Sequence, residues 1–352
     1  MKTRIVTVLE DALTGAAKDT IAEAGRIIQN GGLVAFPTET VYGLGGNAFD
    51  PDAARRIYEA KGRPSDNPLI VHIAEVADLE RVARSVPKAA YRLAEAFWPG
   101  PLTMILDKRR SVPDTVTGGL NTVAVRLPSL TTARELIRAA GGFVAAPSAN
   151  ASGRPSPTLA AHCIEDLDGR VDMIIDGGAA VLGLESTVLD LTVPVPAILR
   201  PGFVTGEMIE HVLDVPVVSP EATQTPDDAA PKAPGMKYRH YAPRGRLCVV
   251  TGAMDAVSHR IETELQEARE EGRRTGVICA RQQAEHYTAD VVRCYGEQGD
   301  VTAFAGALFK FLREMDAEGA EVICAEGTAT EGVGTALMNR LVKAAGGNVV
   351  EV

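Results

Sequence analysis

One proline-rich segment constrains the fold of this chain more than any other feature. Residues 219–234, SPEATQTPDDAAPKAP, contain four prolines and no large apolar side chain, which is typical of an extended linker. On both sides of this segment, short β-rich runs alternate with helical segments, as they do in α/β proteins. The chain is therefore predicted to form a mixed α/β domain over residues 1–215, a linker or lid over 216–245, and a smaller Rossmann-like domain with parallel strands over 246–352.

Composition excludes several classes of protein. With 352 residues, of which 45% are hydrophobic and 23% charged, the chain can bury two cores and is globular rather than disordered. The net charge of −10 argues against wholesale coating of nucleic acid, so no stable nucleic-acid complex is expected. No apolar run approaches the roughly 20 residues of a membrane span, and the N-terminus lacks the pattern of a signal peptide. These observations predict a cytoplasmic protein without membrane association.

Common signatures of metal and nucleotide sites are absent from the sequence. The five cysteines are scattered without a CxxC pair, so neither a zinc site nor a disulfide framework is indicated. There is no Walker loop and no GxGxxG turn. The GLGG run at residues 43–46 lacks the required spacing, and it is interpreted as a tight turn or as close backbone packing.

Basic residues cluster in KGRPSDNPLIVH, residues 61–72. Lys61, Arg63 and His72 lie around chain-bending glycine and proline residues, just before and within an apolar strand-like run. Cations held so close together repel one another, so a fold that gathers them usually offers them an anion. The pattern favours an enzyme that binds phosphate and carboxylate groups.

Hydroxyl-bearing side chains follow a predicted strand in FPTETVYGLGGNA, residues 36–48. Pro37 and the glycines break the strand where Thr38, Glu39 and Thr40 would emerge at a sheet edge. These hydroxyls could bind a polar substrate. A turn that satisfies its own backbone explains the same pattern about as well.

A second hydroxyl-rich loop, PSANASGRPSPT at residues 147–158, follows another apolar strand. Its position at a strand end and its composition favour an anion or ligand site over a merely flexible turn. Further along, Ser186 follows an acidic residue at a strand start, and Arg200 lies on a strand that Pro-Gly terminates, where it could clamp phosphate. Arg126 lies in an apolar strand that would rarely tolerate an unpaired charge.

Taken together, these motifs resemble the Sua5/YrdC/YwlC family, the L-threonylcarbamoyladenylate synthases. The matching segments occur in family order and extend across the linker: PTETVYGLGGNA, KGRPSDNPLIVH, WPGPLT, TVAVRLP, PSANASGRPSPT, ESTVLD, LRPG and PGMKYRHYAP. EGVGTALMNRLVKAA near the C-terminus is similar to the Sua5-type extension that the short YrdC form lacks. The resemblance implies a YrdC-like twisted mixed sheet with helices for the first domain.

The resemblance also implies a reaction. L-Threonine, bicarbonate or CO2, and ATP would give threonylcarbamoyl-AMP and pyrophosphate, which makes the enzyme a nucleotidyltransferase. The product would serve separate transferase proteins in the N6-threonylcarbamoylation of adenosine 37 of tRNA. Mg²⁺ would be held mainly by the ATP phosphates, with no metal site in the protein.

Residue roles carry over from the family motif by motif. The positions implied for L-threonine are Thr38, His72, Arg126 and Ser186. The positions implied for ATP are Lys61, Arg63, Ser65, Thr122, Ser148, Asn150, Ser156 and Arg200. Tyr241 would close over the nucleotide from the linker, and Lys61 and Arg63 would also stabilise the charge that develops on the phosphates.

Two other functions are weighed against this one. An RNA-binding or ribosome-associated protein could use the same cationic cleft, but the net acidity and the few aromatic side chains disfavour it. A carbamoyl transferase of the hydrogenase-maturation type shares the core, but it carries added acylphosphatase and cysteine-rich zinc segments that this sequence lacks.

Overall fold

A computed structural model describes residues 2–9, 14–219, 231–233 and 240–352 of the chain. Most of the predicted linker, 220–230 and 234–239, lies outside the described residues. The chain divides into two compact units. The first comprises Met1–Ser152, Ser156–Val181 and Glu185–Lys237, and the second comprises Gly153–Pro155, Leu182–Leu184 and Tyr238–Val352.

The first unit contains a mixed sheet, in agreement with the predicted fold class. Within the described residues it has ten strands in the order β1-β8-β2-β3-β7-β4-β6-β5-β9-β10, with both parallel and antiparallel pairs. The strands are β1 Arg4–Thr7, β2 Val34–Phe36, β3 Gly43–Asn47, β4 Ile70–Ile73, β5 Leu102–Asp107, β6 Thr122–Arg126, β7 Phe143–Ala146, β8 Met173–Asp176, β9 Thr187–Asp190 and β10 Ala197–Arg200.

Helices connect these strands. In the described part of the first unit they are α1 Ala16–Gln29, α2 Pro51–Lys61, α3 Leu79–Val82, α4 Lys88–Phe97, α5 Asp114–Thr117, α6 Thr131–Ala139, α7 Ala160–Leu167 and α8 Gly206–Leu213, with a 3₁₀ turn at Val76–Asp78. The predicted helix PDAARRIYEAK coincides with α2. The helical spacing over residues 78–97 is divided in the structure into α3 and α4, because Ala83 is extended and Pro87 precedes the second helix.

The two faces of this sheet differ in chemistry because side chains alternate along each strand. One face carries a large apolar cluster that includes Val71, Met104 and Val125. The opposite face carries a row of polar side chains instead. His72 on β4 pairs in register with Arg126 on β6, which pairs with Thr103 on β5.

Strand β3 contains the GLGG run, which the sequence analysis interpreted as a tight turn or as close packing. The structure confirms close packing. A Cβ atom added at Gly45 would lie 2.8 Å from the side chain of Val144 and 3.0 Å from the ring of Phe36. That ring lies edge-on to His72, with 6.2 Å between the ring centroids. The absence of a side chain at Gly45 therefore helps to set the position of a ring beside the polar row.

The second unit contains a five-stranded sheet in the part of the chain that the structure describes, in the order β13-β12-β14-β11-β15. All of its pairings are parallel, which confirms the Rossmann-like prediction. Its elements are β11 Arg246–Thr251, α9 Met254–Glu270, β12 Thr275–Cys279, a 3₁₀ segment Arg281–His286, β13 Val291–Cys294, α10 Val301–Ala317, β14 Val322–Glu326, α11 Val333–Ala344 and β15 Val349–Glu351. None of the helices in the described ranges has the length and apolar character needed to span a membrane.

Candidate active site

His72 lies at one end of the polar row, beside Arg126, and is only 4% exposed. Burial and, second to it, the nearby charge of Arg126 lower the pKa of His72 from 6.5 to about 3. The imidazole is therefore neutral near pH 7. The prediction that His72 is one of three cations in KGRPSDNPLIVH is wrong. Its Nδ1 lies 3.1 Å from the carbonyl oxygen of Ile70. Because a carbonyl oxygen only accepts, the tautomer with the proton on Nδ1 fits this contact and leaves Nε2 as an acceptor.

Arg126 is buried beside His72 and is held by the PTET segment. Its Nη2 donates to Oε1 of Glu39 at 2.7 Å, and its Nη1 donates to Oγ1 of Thr40 at 2.9 Å. Its Nε lies 3.4 Å from the carbonyl oxygen of Gly100. Glu39 thus supplies the pairing that a charged residue in an apolar strand requires.

Thr38 makes a turn that satisfies its own backbone. Its hydroxyl lies 2.6 Å from the carbonyl oxygen of Val41 and 2.9 Å from the hydroxyl of Thr40. The self-satisfied turn is therefore present, and the role of Thr38 in binding threonine stays a prediction. The same turn brings Glu39 and Thr40 to Arg126, so it also has a role at the site.

Ser186 and Arg200 form a second polar group on the same face. Arg200 donates from Nε to the carbonyl oxygen of Ser186 at 3.0 Å and from Nη2 to its hydroxyl at 3.1 Å. That hydroxyl lies 2.7 Å from Oγ1 of Thr103. Since Thr103 is the register partner of Arg126, this group extends the polar row by another strand.

Lys61 joins the end of α2 to the 147–158 loop. Its Nζ donates to the carbonyl oxygens of Ser148 and Asn150, both at 2.5 Å, and lies 3.4 Å from Oδ1 of Asn150. The side-chain hydroxyl of Ser148 donates to the same Oδ1 at 2.5 Å. Lys61, Ser148 and Asn150, which were named separately from the sequence, are therefore brought together by the fold.

Arg63 is buried and bonds to the turn that follows it. Its Nε donates to the carbonyl oxygen of Asn67 at 3.2 Å, and its Nη2 donates to that of Pro68 at 3.1 Å. Ser65 lies in this turn and is exposed, and Thr122 is half-buried at the start of β6.

Ser156 is fully buried in the first unit. Its hydroxyl donates to Oε1 of Glu185 at 2.5 Å. Glu185 precedes Ser186 in the chain, so this bond links the 147–158 loop to the polar group around Arg200.

One short piece of the linker lies on the site face of the sheet. Ala233 is fully buried in an apolar cluster that contains Ile70, Ala124 and Val188, residues on the same strands as the polar row. Beside it, Nζ of Lys232 forms an ion pair with Asp190 at 3.0 Å.

Tyr241 belongs to the second unit. Its ring stacks on Phe309 with 5.1 Å between centroids, and the guanidinium carbon of Arg340 lies 5.8 Å from the centre of the ring. Its backbone φ of 67° is unusual for a tyrosine. The proposed closure of Tyr241 over a nucleotide stays a prediction.

Four residues of the site received no role in the predictions from the sequence. Glu39 and Thr40 hold Arg126, Glu185 holds Ser156, and Thr103 contacts Ser186. The signals were polar side chains that interrupt apolar runs, such as the single threonine in PLTMILD. Sequence alone does not show which polar neighbours these side chains meet.

The cationic and hydroxyl side chains of the site are suited to small anionic ligands. Within the described ranges, no group of three or more His, Cys, Asp or Glu side chains could hold a metal ion. The site instead gathers a lysine, three arginines, hydroxyl groups and a neutral histidine in the first unit. Fold and site together define an α/β protein with a buried polar face whose side chains are chemically suited to phosphate and carboxylate groups.

Comparison with known proteins identifies the family of this chain. Residues 26–202 match the Sua5/YciO/YrdC family model, described as "Telomere recombination", and residues 204–346 match the model described as "Threonylcarbamoyl-AMP synthase, C-terminal domain". The chain therefore belongs to the Sua5/YciO/YrdC family, which confirms the resemblance seen in the sequence.

Full-length relatives share both parts of the chain. The threonylcarbamoyl-AMP synthase of Pyrococcus abyssi is 50% identical over 329 residues, which cover 94% of this chain and 95% of that protein. The enzyme of the same name from Bacillus subtilis is 46% identical over 331 residues, 94% of each chain. The crystal structure of P. abyssi Sua5 complexed with L-threonine superposes with a TM-score of 0.92 at 48% identity, over 99% of this chain and 100% of that one.

Proposed function

We propose that this protein synthesises L-threonylcarbamoyl-AMP from L-threonine, bicarbonate or CO2, and ATP, with release of pyrophosphate. The observation that carries the proposal is the polar row on the first unit, where neutral His72 lies beside buried Arg126. A relative with the same fold binds L-threonine, and relatives over nearly the whole chain are named threonylcarbamoyl-AMP synthase.

Threonine would bind along the polar row. Arg126 makes three hydrogen bonds to described residues, and a guanidinium has five N–H donors, so it can also bind the substrate carboxylate. Nε2 of His72 can accept a hydrogen bond from the substrate. Ser186 and Thr38 would complete the threonine site with their hydroxyl groups.

ATP would bind where the hydroxyl-rich loop meets the cationic side chains. The proposed contacts are Lys61, Arg63, Ser65, Thr122, Ser148, Asn150, Ser156 and Arg200, with Tyr241 as a further contact. Several of the cationic donors bond to backbone carbonyls in the structure. Charge-assisted bonds to phosphate are stronger than bonds to neutral carbonyls, so these side chains can exchange partners when the nucleotide binds.

Catalysis would depend on position and charge. The threonine ammonium group would first lose a proton to solvent, and the free amine would add to CO2 and release a second proton. An oxygen of the resulting carbamate would then attack the α-phosphorus while pyrophosphate leaves. Lys61, Arg63 and Arg200 would stabilise the negative charge that develops on the phosphates. Because the site is cationic, Mg²⁺ would enter on the ATP phosphates, where it would neutralise part of their charge.

The product would serve a later reaction. Separate transferase proteins would use threonylcarbamoyl-AMP to form N6-threonylcarbamoyladenosine at position 37 of tRNA. This protein would then need no lasting complex with nucleic acid.

Pyrophosphate release tests the proposed function directly. Purified full-length protein with ATP, Mg²⁺, L-threonine and bicarbonate should release pyrophosphate, and omission of any one substrate should reduce the rate to background. Turnover that does not require threonine would contradict the proposal. Salt-dependent RNA binding without ATP turnover would instead favour the RNA-binding alternative.

A further inference from the structure

Within the described residues, only one of the two carboxylate oxygens of Glu39 has a hydrogen-bond partner. The side chain is only 7% exposed, and its Oε1 is engaged by Arg126. Its other oxygen, Oε2, is buried and has no hydrogen-bond partner anywhere among the described residues. Buried carboxylate oxygens are normally paired because an unpaired one is unfavourable. A ligand that donates a hydrogen bond would satisfy Oε2.

Charge indicates what kind of donor this ligand brings. Arg126 and Glu39 form a buried ion pair, so a positive and a negative group lie side by side in the polar row. An α-amino acid carries the same two charges, as a carboxylate and an ammonium group on one carbon. The pair is therefore complementary to a zwitterion.

We propose that Glu39 binds the α-ammonium group of L-threonine through Oε2 while Arg126 binds the carboxylate. This inference rests on the proposed function and deepens it, because it names the group that selects an amino acid over other carboxylic acids. A carboxylic acid without the amine would leave Oε2 unpaired and would bind more weakly.

Neighbouring side chains are less suited to this role. His72 is neutral, so it offers the ammonium group no opposite charge. The Thr38 hydroxyl already contacts Val41 and Thr40. Glu185 accepts the hydroxyl of Ser156. Among the described residues, Glu39 combines burial, a negative charge and an unpaired oxygen beside the polar row.

A comparison of two ligands isolates the amine. Calorimetry of the full-length protein, without ATP, would measure the affinity for L-threonine and for (R)-3-hydroxybutanoate, which keeps the carboxylate and the hydroxyl. The wild type should bind threonine about 10- to 100-fold more tightly, as expected for one charge-assisted hydrogen bond. Equal affinities in the wild type would overturn the proposal without any variant.

Substitution of Glu39 should remove this preference. Glu39→Gln keeps the shape and an acceptor for Arg126 but removes the negative charge, so the threonine preference should fall to about threefold or less. Glu39→Asp keeps the negative charge and should retain part of the preference for threonine. An unchanged preference in Glu39→Gln, with a normal thermal unfolding profile, would refute the role of Glu39.

Thr40→Val is the matched control. It loosens Arg126 from its other side, so it should weaken both ligands alike and leave their ratio unchanged. If Thr40→Val lowers the ratio as much as Glu39→Gln does, Glu39 acts only by holding Arg126, and the proposal fails. A wild type that binds no threonine and releases no pyrophosphate would instead refute the proposed function.

Discussion

At the residue scale, the surroundings of His72 determine its charge. The imidazole is enclosed by the sheet and lies beside the permanent charge of Arg126. Both effects disfavour the protonated form, and the pKa falls to about 3. A residue that looks like part of a basic cluster in the sequence is therefore a neutral hydrogen-bonding group in the folded protein.

His72 should make the folded state less stable in acid. Its pKa falls from 6.5 in the unfolded chain to about 3 in the folded one, so between these values the unfolded chain binds the extra proton. Stability is then lost as pH falls below about 6.5, by roughly 1.4 kcal/mol per pH unit. Denaturant unfolding of His72→Asn should lack this loss, so its free energy of unfolding relative to wild type should rise by about 2 kcal/mol from pH 7 to pH 5.

His211→Asn provides the comparison for this measurement. His211 is exposed on α8 and lies outside the buried polar row, so its replacement should leave in place the acid-dependent loss of stability that His72 causes. An identical pH dependence for wild type and His72→Asn would show that His72 is not held neutral.

At the element scale, local signals explain which boundaries the sequence could predict. Helix α2 begins with Pro51 after Asp50, whose side chain accepts from the backbone of Asp52. It ends at Lys61 and is followed by Gly62, which has a φ of 61°. These are standard start and stop signals, and they gave the correct helix. Strand β3 could not be predicted in this way, because its glycines resemble those of a turn. In the folded protein they allow close packing against Val144 and Phe36.

Gly45→Ala should destabilise the sheet beside the polar row. The new methyl group would meet Val144 at 2.8 Å and Phe36 at 3.0 Å, and overpacking of this kind typically costs about 1–3 kcal/mol. Displacement of Phe36, which lies edge-on to His72, should also weaken threonine binding. Thermal unfolding and calorimetry would measure the two effects.

Gly206→Ala is the matched control for Gly45→Ala. At Gly206, the first residue of α8, an added Cβ would meet only Ile198, at 3.6 Å. Alanine there should be neutral or stabilising by up to about 1 kcal/mol. Equal stability of the two alanine variants would contradict the packing explanation for β3.

The candidate site was only partly predictable, for a physical reason. The sequence identified Lys61, Arg63 and Arg126 by their unusual positions near strands and turns. It could not show that Lys61 reaches the backbone carbonyls of Ser148 and Asn150, or that Arg126 meets Glu39. These contacts join residues that are far apart in the chain, and only strand order and register bring them together.

At the scale of the whole molecule, the division into two units does not follow the order of the sequence. Gly153–Pro155 and Leu182–Leu184 are grouped with Tyr238–Val352, although the sequence analysis assigned both segments to residues 1–215. Within this second unit, Arg313 donates from Nε and Nη2 to the carbonyl oxygen of Pro155 at 3.1 and 2.7 Å. Sequence patterns divide a chain into consecutive segments. They therefore cannot predict a unit that combines segments from distant parts of the chain.

Arg313→Met should therefore weaken the proposed binding of ATP by the 147–158 loop. Pro155 would lose both of these donors, and neighbouring Ser148, Asn150 and Ser156 are proposed ATP contacts. The Michaelis constant for ATP should rise by about fivefold, as expected for the loss of roughly 1 kcal/mol, while that for threonine should change little. Steady-state pyrophosphate release would measure both constants.

Arg293→Met removes the same charge from the second unit without touching Pro155, because Arg293 bonds to Glu314. It should leave both Michaelis constants unchanged. An equal effect of the two substitutions on ATP would show that the Arg313 contact has no specific part in nucleotide binding.

The buried pair of Arg126 and Glu39 would also influence how the enzyme ends each cycle. In the proposed carbamoyl adenylate product the threonine nitrogen would be an uncharged N–H, while the carboxylate that Arg126 is proposed to bind would be unchanged. Glu39 would then face a neutral group, so this part of the pocket would hold the product less firmly than the free amino acid. Product inhibition through the threonyl end should accordingly be weak, and fresh threonine would displace the departing adenylate.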